Sequence, residues 1–256
     1  MDSVQKLLGE LFQRQHSLTV FGLAMFVLMA PTLIVAMIDG RTLRDVGIWA
    51  KPLKFMASTG LFALTTAWFF GLLPEAIRSS TGSLVIVSTL ILTSLFEVAY
   101  ITFQAALGSG SHYNVDDPVH AAMFGFMALA AILLTATQAA LAWQIAMHAP
   151  RPYSVETWAV MTGLLLTFFL GTFSGFMLGG NQPPAGVGLP IVGWHMGGGD
   201  IRPAHFLGVH AQQIIPLAGL VLQRSLDAHA GTALSLFVAV YLACWAFLAA
   251  LGLRGV

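Results

Sequence analysis

Apolar runs long enough to cross a bilayer recur along almost the whole chain, and nothing else constrains its folding so tightly. Crossing the hydrocarbon core takes about 20 mostly apolar residues. A window of that size fits seven times, near 17–38, 53–73, 84–107, 118–147, 155–178, 203–223 and 231–252. Backbone groups in lipid must be satisfied within the crossing segment, so runs of this kind become helices. The expected fold is all-α, a polytopic integral membrane bundle of seven transmembrane helices. It forms a single transmembrane domain over 1–256, with no room for a separate soluble one. Composition agrees: 57% of residues are hydrophobic and 9% charged, with a mean hydropathy of +0.81, whereas soluble proteins carry about 25% charged residues.

Eleven Lys and Arg balance eleven Asp and Glu, which leaves no basic field for a nucleic acid, and none is expected as a partner. The single cysteine, Cys244, excludes an internal disulfide and a Cys-x-x-Cys-His site for covalent haem. The first apolar run exceeds the 7–15 residues of a signal-peptide core and is followed by Asp39-Gly40-Arg41, so it reads as an anchor that stays. Ahead of it, residues 3–14 gather Val4, Leu7, Leu8, Leu11 and Phe12 on one face, an amphipathic helix suited to lying among membrane lipids. The Lys/Arg bias does not orient the chain, so its two sides are called A, which carries the amino terminus, and B. Gly171, Gly175 and Gly179 make a stripe for close helix contact, within the chain or in a homo-oligomer. Pro31 and Pro216 lie inside spans, where each removes a ladder hydrogen bond and is expected to kink its helix.

The polar residues are unevenly placed. His16, His148 and His229 fall at side A and read as interface residues, whereas His112, His120, His195, His205 and His210 fall at or just inside side B. Glu97 sits mid-span, where an ionised side chain costs about 2.5–3.5 kcal/mol, so it is a functional candidate by default. Ser94, Glu97, Tyr100 and Gln104 follow at helical spacing and line one face descending towards side B.

Asp117-Pro118-Val119-His120 and Arg202-Pro203-Ala204-His205 each place a histidine in the first turn after an N-terminal Pro. There the helix dipole favours neutral imidazole, the form that binds metals. His210 lies about 140° around and about 7.5 Å deeper than His205, which keeps the pair from sharing one ion from one face. Gln212 and Gln213 widen the polar arc of this span, as expected of a helix lining a cavity or buried in the bundle. The Gly- and Pro-rich loop 179–202, carrying His195, Asp200 and Arg202, reads as a lid or re-entrant segment. Lys51 and Lys54 read as snorkelling or headgroup-binding residues.

The run His120-Ala121-Ala122-Met123-Phe124-Gly125-Phe126 resembles the histidine-bearing helix starts of haem-binding polytopic proteins such as haem–copper oxidases, and the resemblance implies an axial ligand at His120. Seven spans with an intramembrane acid and late histidines are also similar to the seven-helix membrane metal hydrolases related to ceramidases and progestin-type receptors. Those carry His-x-x-x-His on the last helix, whereas this chain has His205-x-x-x-x-His210 on span six.

Three functions are consistent with these residues. The first is a membrane redox protein, an oxidoreductase with a lipid-soluble substrate or quinone. It holds haem b or another transition metal through His120 with His205 or His210, and Glu97, Tyr100 and Gln104 either support the ligands from behind or form a proton path. The second is a zinc hydrolase of a lipid substrate, with zinc on His120, His205 and one of His195 or His112, and Glu97 as base. The third is a proton-coupled transporter or channel in which Glu97 carries the proton.

Overall fold

The computed structural model describes residues 2–254, and its regular secondary structure is almost wholly helical. Helices run in the order α1 (Asp2–Arg14), α2 (His16–Ile38), α3 (Ala50–Phe69), α4 (Glu75–Arg78), α5 (Thr81–Leu107), α6 (Pro118–His148), α7 (Val155–Gly180), α8 (Arg202–Leu226) and α9 (Ala230–Gly252). Every expected span has its helix, with ends displaced by about four residues at most. Among the described residues, six helical stretches are long and apolar enough to cross a membrane. The last, Arg202–Gly252, holds both α8 and α9. Asp227, at a φ of 37°, ends α8 and a 3-10 turn over Asp227–His229 reverses the chain. The two expected spans fold back on each other there, and the Tyr241 hydroxyl donates to Leu207 O at 2.5 Å.

The sequence does not announce one small element. After α2, Thr42–Leu43 (β1) pairs antiparallel with Val46–Gly47 (β2). Arg44 and Asp45 both take positive φ, as a two-residue hairpin turn requires. Asp39 stops α2 and accepts from Arg41 Nη2 and Trp49 Nε1, each at 2.8 Å. Those bonds, with that of the Arg41 amide, hold its carboxyl well below the usual carboxylate range.

The chain forms two compact units, divided at Thr137 within α6. In the first, α2 and α3 meet through facing glycines: a Cβ on Gly22 or on Gly60 would stand 3.0 Å from the other's carbonyl oxygen. The amphipathic α1 is tied down by Arg14, whose guanidinium lies 3.7 Å over the Trp68 ring and donates to Trp68 O at 3.0 Å.

In the second unit a single seam joins α7 to α8. Pro216 offers no N–H and displaces the carbonyl four residues back, and α7 packs closely against this stretch of α8. Gly163 leaves room for the proline ring and for Ala211 O, and Thr167 Oγ1 accepts from the Gln212 amide at 2.9 Å. One turn further, Gly208 lies directly against the backbone of Leu170 and Gly171. The glycine stripe therefore makes its close contact inside the chain at Gly171, Gly175 faces the His205 ring at ordinary contact distance, and a Cβ on Gly179 would meet nothing within 4 Å. A core of Ala159, Leu170, Ala211, Ile215, Leu234 and Tyr241 fills the space between α7, α8 and α9.

Candidate functional site

The stripe on α5 is buried as its spacing predicts. Ser94, Glu97 and Gln104 are 2%, 9% and 3% exposed, while Tyr100, at the flank, stacks on Phe96. Ser94 Oγ, Glu97 Oε1 and Gln104 Oε1 find no hydrogen-bond partner in the protein. A buried polar atom left in that state costs about 1–3 kcal/mol.

Beyond the α5 C-terminus the structure adds residues that sequence reasoning assigned elsewhere. Lys51, expected to reach for headgroups, instead turns to the loop after α5. Its Nζ lies 2.9 Å from Ser111 Oγ and 2.9 Å from His112 Nδ1. An ammonium only donates, so Nδ1 of His112 is the acceptor and the ring is neutral with its proton on Nε2. Phe55, Tyr113 and Phe124 surround that ring. In the same loop Asn114 donates to Ser109 Oγ and Gly110 O, and its buried Oδ1 has no partner in the protein. Lys51, Ser111 and Asn114 thus join the candidate set. The only sequence signal for them was their nearness to span ends.

The helix-start histidines have local partners. Asp117 caps α6 by accepting from the Val119 and His120 amides, and its other oxygen pairs with His120 Nδ1. The bond to the His120 ring, then that to the His120 amide, keep the Asp117 carboxyl below its ordinary value. An ionised carboxylate only accepts, so Nδ1 carries the proton.

His205 is wedged against α7, its Nδ1 3.2 Å from Ser174 Oγ. Ser174 spends its one proton on Leu170 O at 2.5 Å, so His205 Nδ1 is the donor to Ser174 Oγ. His210 is buried, with Nδ1 3.2 Å from Gln213 Oε1 and its ring centroid 4.2 Å from that of Phe206. Gln212 is wholly buried. Zinc chemistry needs three protein ligands, and among the described residues no group of three His, Cys, Asp or Glu side chains stands close enough to hold one ion.

Loop 179–202 is pinned at its end by Asp200, which accepts from the His195 amide at 2.8 Å and from Arg202 N, Nε and Nη2 at 3.0, 2.8 and 2.7 Å. Arg202 in turn donates to Gly193 O at 2.7 Å. His195 contributes this amide rather than its ring, whose buried Nε2 has no partner in the protein. Burial disfavours the Asp200 carboxylate, but the bonds from Arg202 and from the two amides outweigh it and hold the pKa below the ordinary value. A depressed folded-state pKa means that the stabilisation is complete above the unfolded value, about 4, and is lost as pH falls through the folded one. Asp200→Asn should weaken the clasp by about 1.5–3 kcal/mol. The His195 and Arg202 amides should then exchange hydrogen ten-fold faster or more at neutral pH, with no further acid dependence. Equal exchange in variant and wild type would show that the clasp does not hold the loop.

Neither a protein-family model, nor a curated protein, nor a solved structure matches the chain.

Proposed function

We propose that the chain is a multi-pass membrane protein that passes protons along the inner face of α5, with Glu97 as the group that takes up and releases them. The reading rests on the three unpartnered acceptor oxygens of Ser94, Glu97 and Gln104, buried on one helix face. Such atoms are expensive to bury, and a bundle built only for packing would carry Leu or Ala in their place. Ser94 and Glu97 are one turn apart, and Gln104 stands two turns further, about 10 Å along the axis. No small ion touches all three at once, so they serve as successive stations rather than one coordination shell. Asn114 Oδ1 and the neutral His112, held by Lys51, lie in the loop that follows α5.

The test is proton uptake by proteoliposomes carrying the full chain, read with an enclosed pH dye under an imposed gradient. Glu97→Gln should slow uptake ten-fold or more. Equal rates for variant and wild type would remove Glu97 from the mechanism.

A second reading, the membrane redox protein with haem b, is favoured by a different observation. His120, His205 and His210 each engage Nδ1 with a neighbour, Asp117, Ser174 and Gln213 respectively. A histidine oriented through one nitrogen presents the other to iron. In the second unit, His205 or His210 would hold a non-covalent haem through Nε2, and the haem would supply one-electron transfer. A Soret band that shifts on dithionite reduction and disappears in the His205→Ala or the His210→Ala variant is expected. A featureless visible spectrum of protein made with ample haem would overturn this reading.

A further inference from the structure

Between α7 and α8, from Asn181 to Gly199, the chain carries no Asp, Glu, Lys or Arg. Its middle folds into a tight turn in which three amides bond locally: Leu189 N donates to Trp194 O at 2.9 Å, Gly193 N to Leu189 O at 2.8 Å and Val192 N to Pro190 O at 2.8 Å. Gly188, at a φ of 60°, admits the Gly193 and Trp194 carbonyls where a Cβ would collide with both. Ile191 stands at the tip, 94% exposed, at a φ of 69° that a β-branched residue rarely adopts. Val187, at 65%, and Leu189 are exposed beside it.

We infer that this turn is a membrane-interface wedge, its apolar tip of Val187, Leu189 and Ile191 seated at the boundary between lipid headgroups and acyl chains. Three features choose lipid as the occupant. The segment springs from the end of one long apolar helix, Gly180, and returns at the start of the next, Arg202, so it lies at a membrane surface if those helices cross. Charge is missing from the whole segment, whereas the rims of protein docking surfaces are polar. The turn also bonds the amides of Leu189, Val192 and Gly193 internally, which lowers the cost of placing irregular backbone near hydrocarbon. The Asp200–Arg202 clasp holds the base of the wedge while the tip stays outward.

The inference rests on α7 and α8 crossing the membrane, and its test separates the two. In the full chain carrying Cys244→Ser, an environment-sensitive fluorophore is placed through Ile191→Cys, through Val187→Cys, or through Leu92→Cys on the exposed face of α5. Each is reconstituted at one chain per lipid nanodisc. Labels at 191 and 187 should be quenched at least two-fold by lipids with a nitroxide near the headgroup, and should be shielded several-fold from aqueous iodide. Iodide access at 191 and 187 with lipid quenching at 92 overturns the wedge and leaves the spans standing. Iodide access at all three overturns both. Shielding that arises only with two chains per disc overturns the lipid assignment in favour of a second copy of the chain.

Discussion

Glu97→Met should unfold at a higher temperature or denaturant concentration than the wild type and should take up no protons. The carboxyl is 9% exposed, one of its oxygens has no partner in the protein, and it lies mid-helix in an apolar bundle. Methionine has similar length and flexibility and fills the same space without a polar atom to desolvate. Removing an unsatisfied buried acceptor returns about 1–3 kcal/mol. Lys51 keeps its bonds to Ser111 and His112 in the variant. Glu97→Gln should fall between wild type and Met in stability while matching Met in lost uptake. Equilibrium unfolding in detergent, run beside the proteoliposome assay, reads both quantities. A Met variant less stable than wild type would make Glu97 a structural residue and would remove the main support for the proton path.

Gly208→Ala should destabilise the second unit by about 1–3 kcal/mol, and Gly208→Val by more, although alanine is the better helix former. A Cβ there would stand 2.8 Å from Gly171 N, 2.8 Å from Leu170 C and 2.9 Å from Leu170 O. All three are backbone atoms of a packed helix, so relief requires α7 and α8 to separate. Separation strains the rest of the seam, including the bonds from the Gln212 amide to Thr167 and from His205 to Ser174. Gly125→Ala is the control: a Cβ there meets nothing within 4 Å, so only the helix-propensity gain of about 0.5–1 kcal/mol remains. If thermal unfolding in detergent ranks the two alanine variants equally, the close contact at Gly208 is not what holds α7 to α8.

The two variants also divide what hydropathy can report from what it cannot. That Glu97 is anomalous, and that Ser94 and Gln104 share its face, follows from a period of 3.6 in an apolar run. The depth of burial matches. The pairing of Asp117 with His120 lies within one helical turn and was equally open to local reasoning about caps. The glycine stripe was legible as a contact surface, but its partner was not. Facing Gly171 is Gly208, and facing Gly175 is His205, both on the next helix. Lys51 was misassigned for the same reason: a lysine at a span end has the same sequence signature whether it reaches outward to headgroups or inward to a loop.

By itself the sequence determined where the helices lie, where Pro216 interrupts one, and which polar residues are out of place in lipid. These depend on composition and on hydrogen bonds made within a few residues, since a backbone surrounded by hydrocarbon has to satisfy itself locally. Tertiary structure alone decided which distant partners engage Nδ1 of His112 and of His205, which oxygens on α5 are left unpartnered, and where the charge of Lys51 goes. Lys51 and His112 are 61 residues apart in the chain, and Ser174 and His205 are 31 apart. A hydrogen bond depends on distance and angle between atoms that helix packing brings together, and no periodicity within one helix encodes which face the next helix will meet.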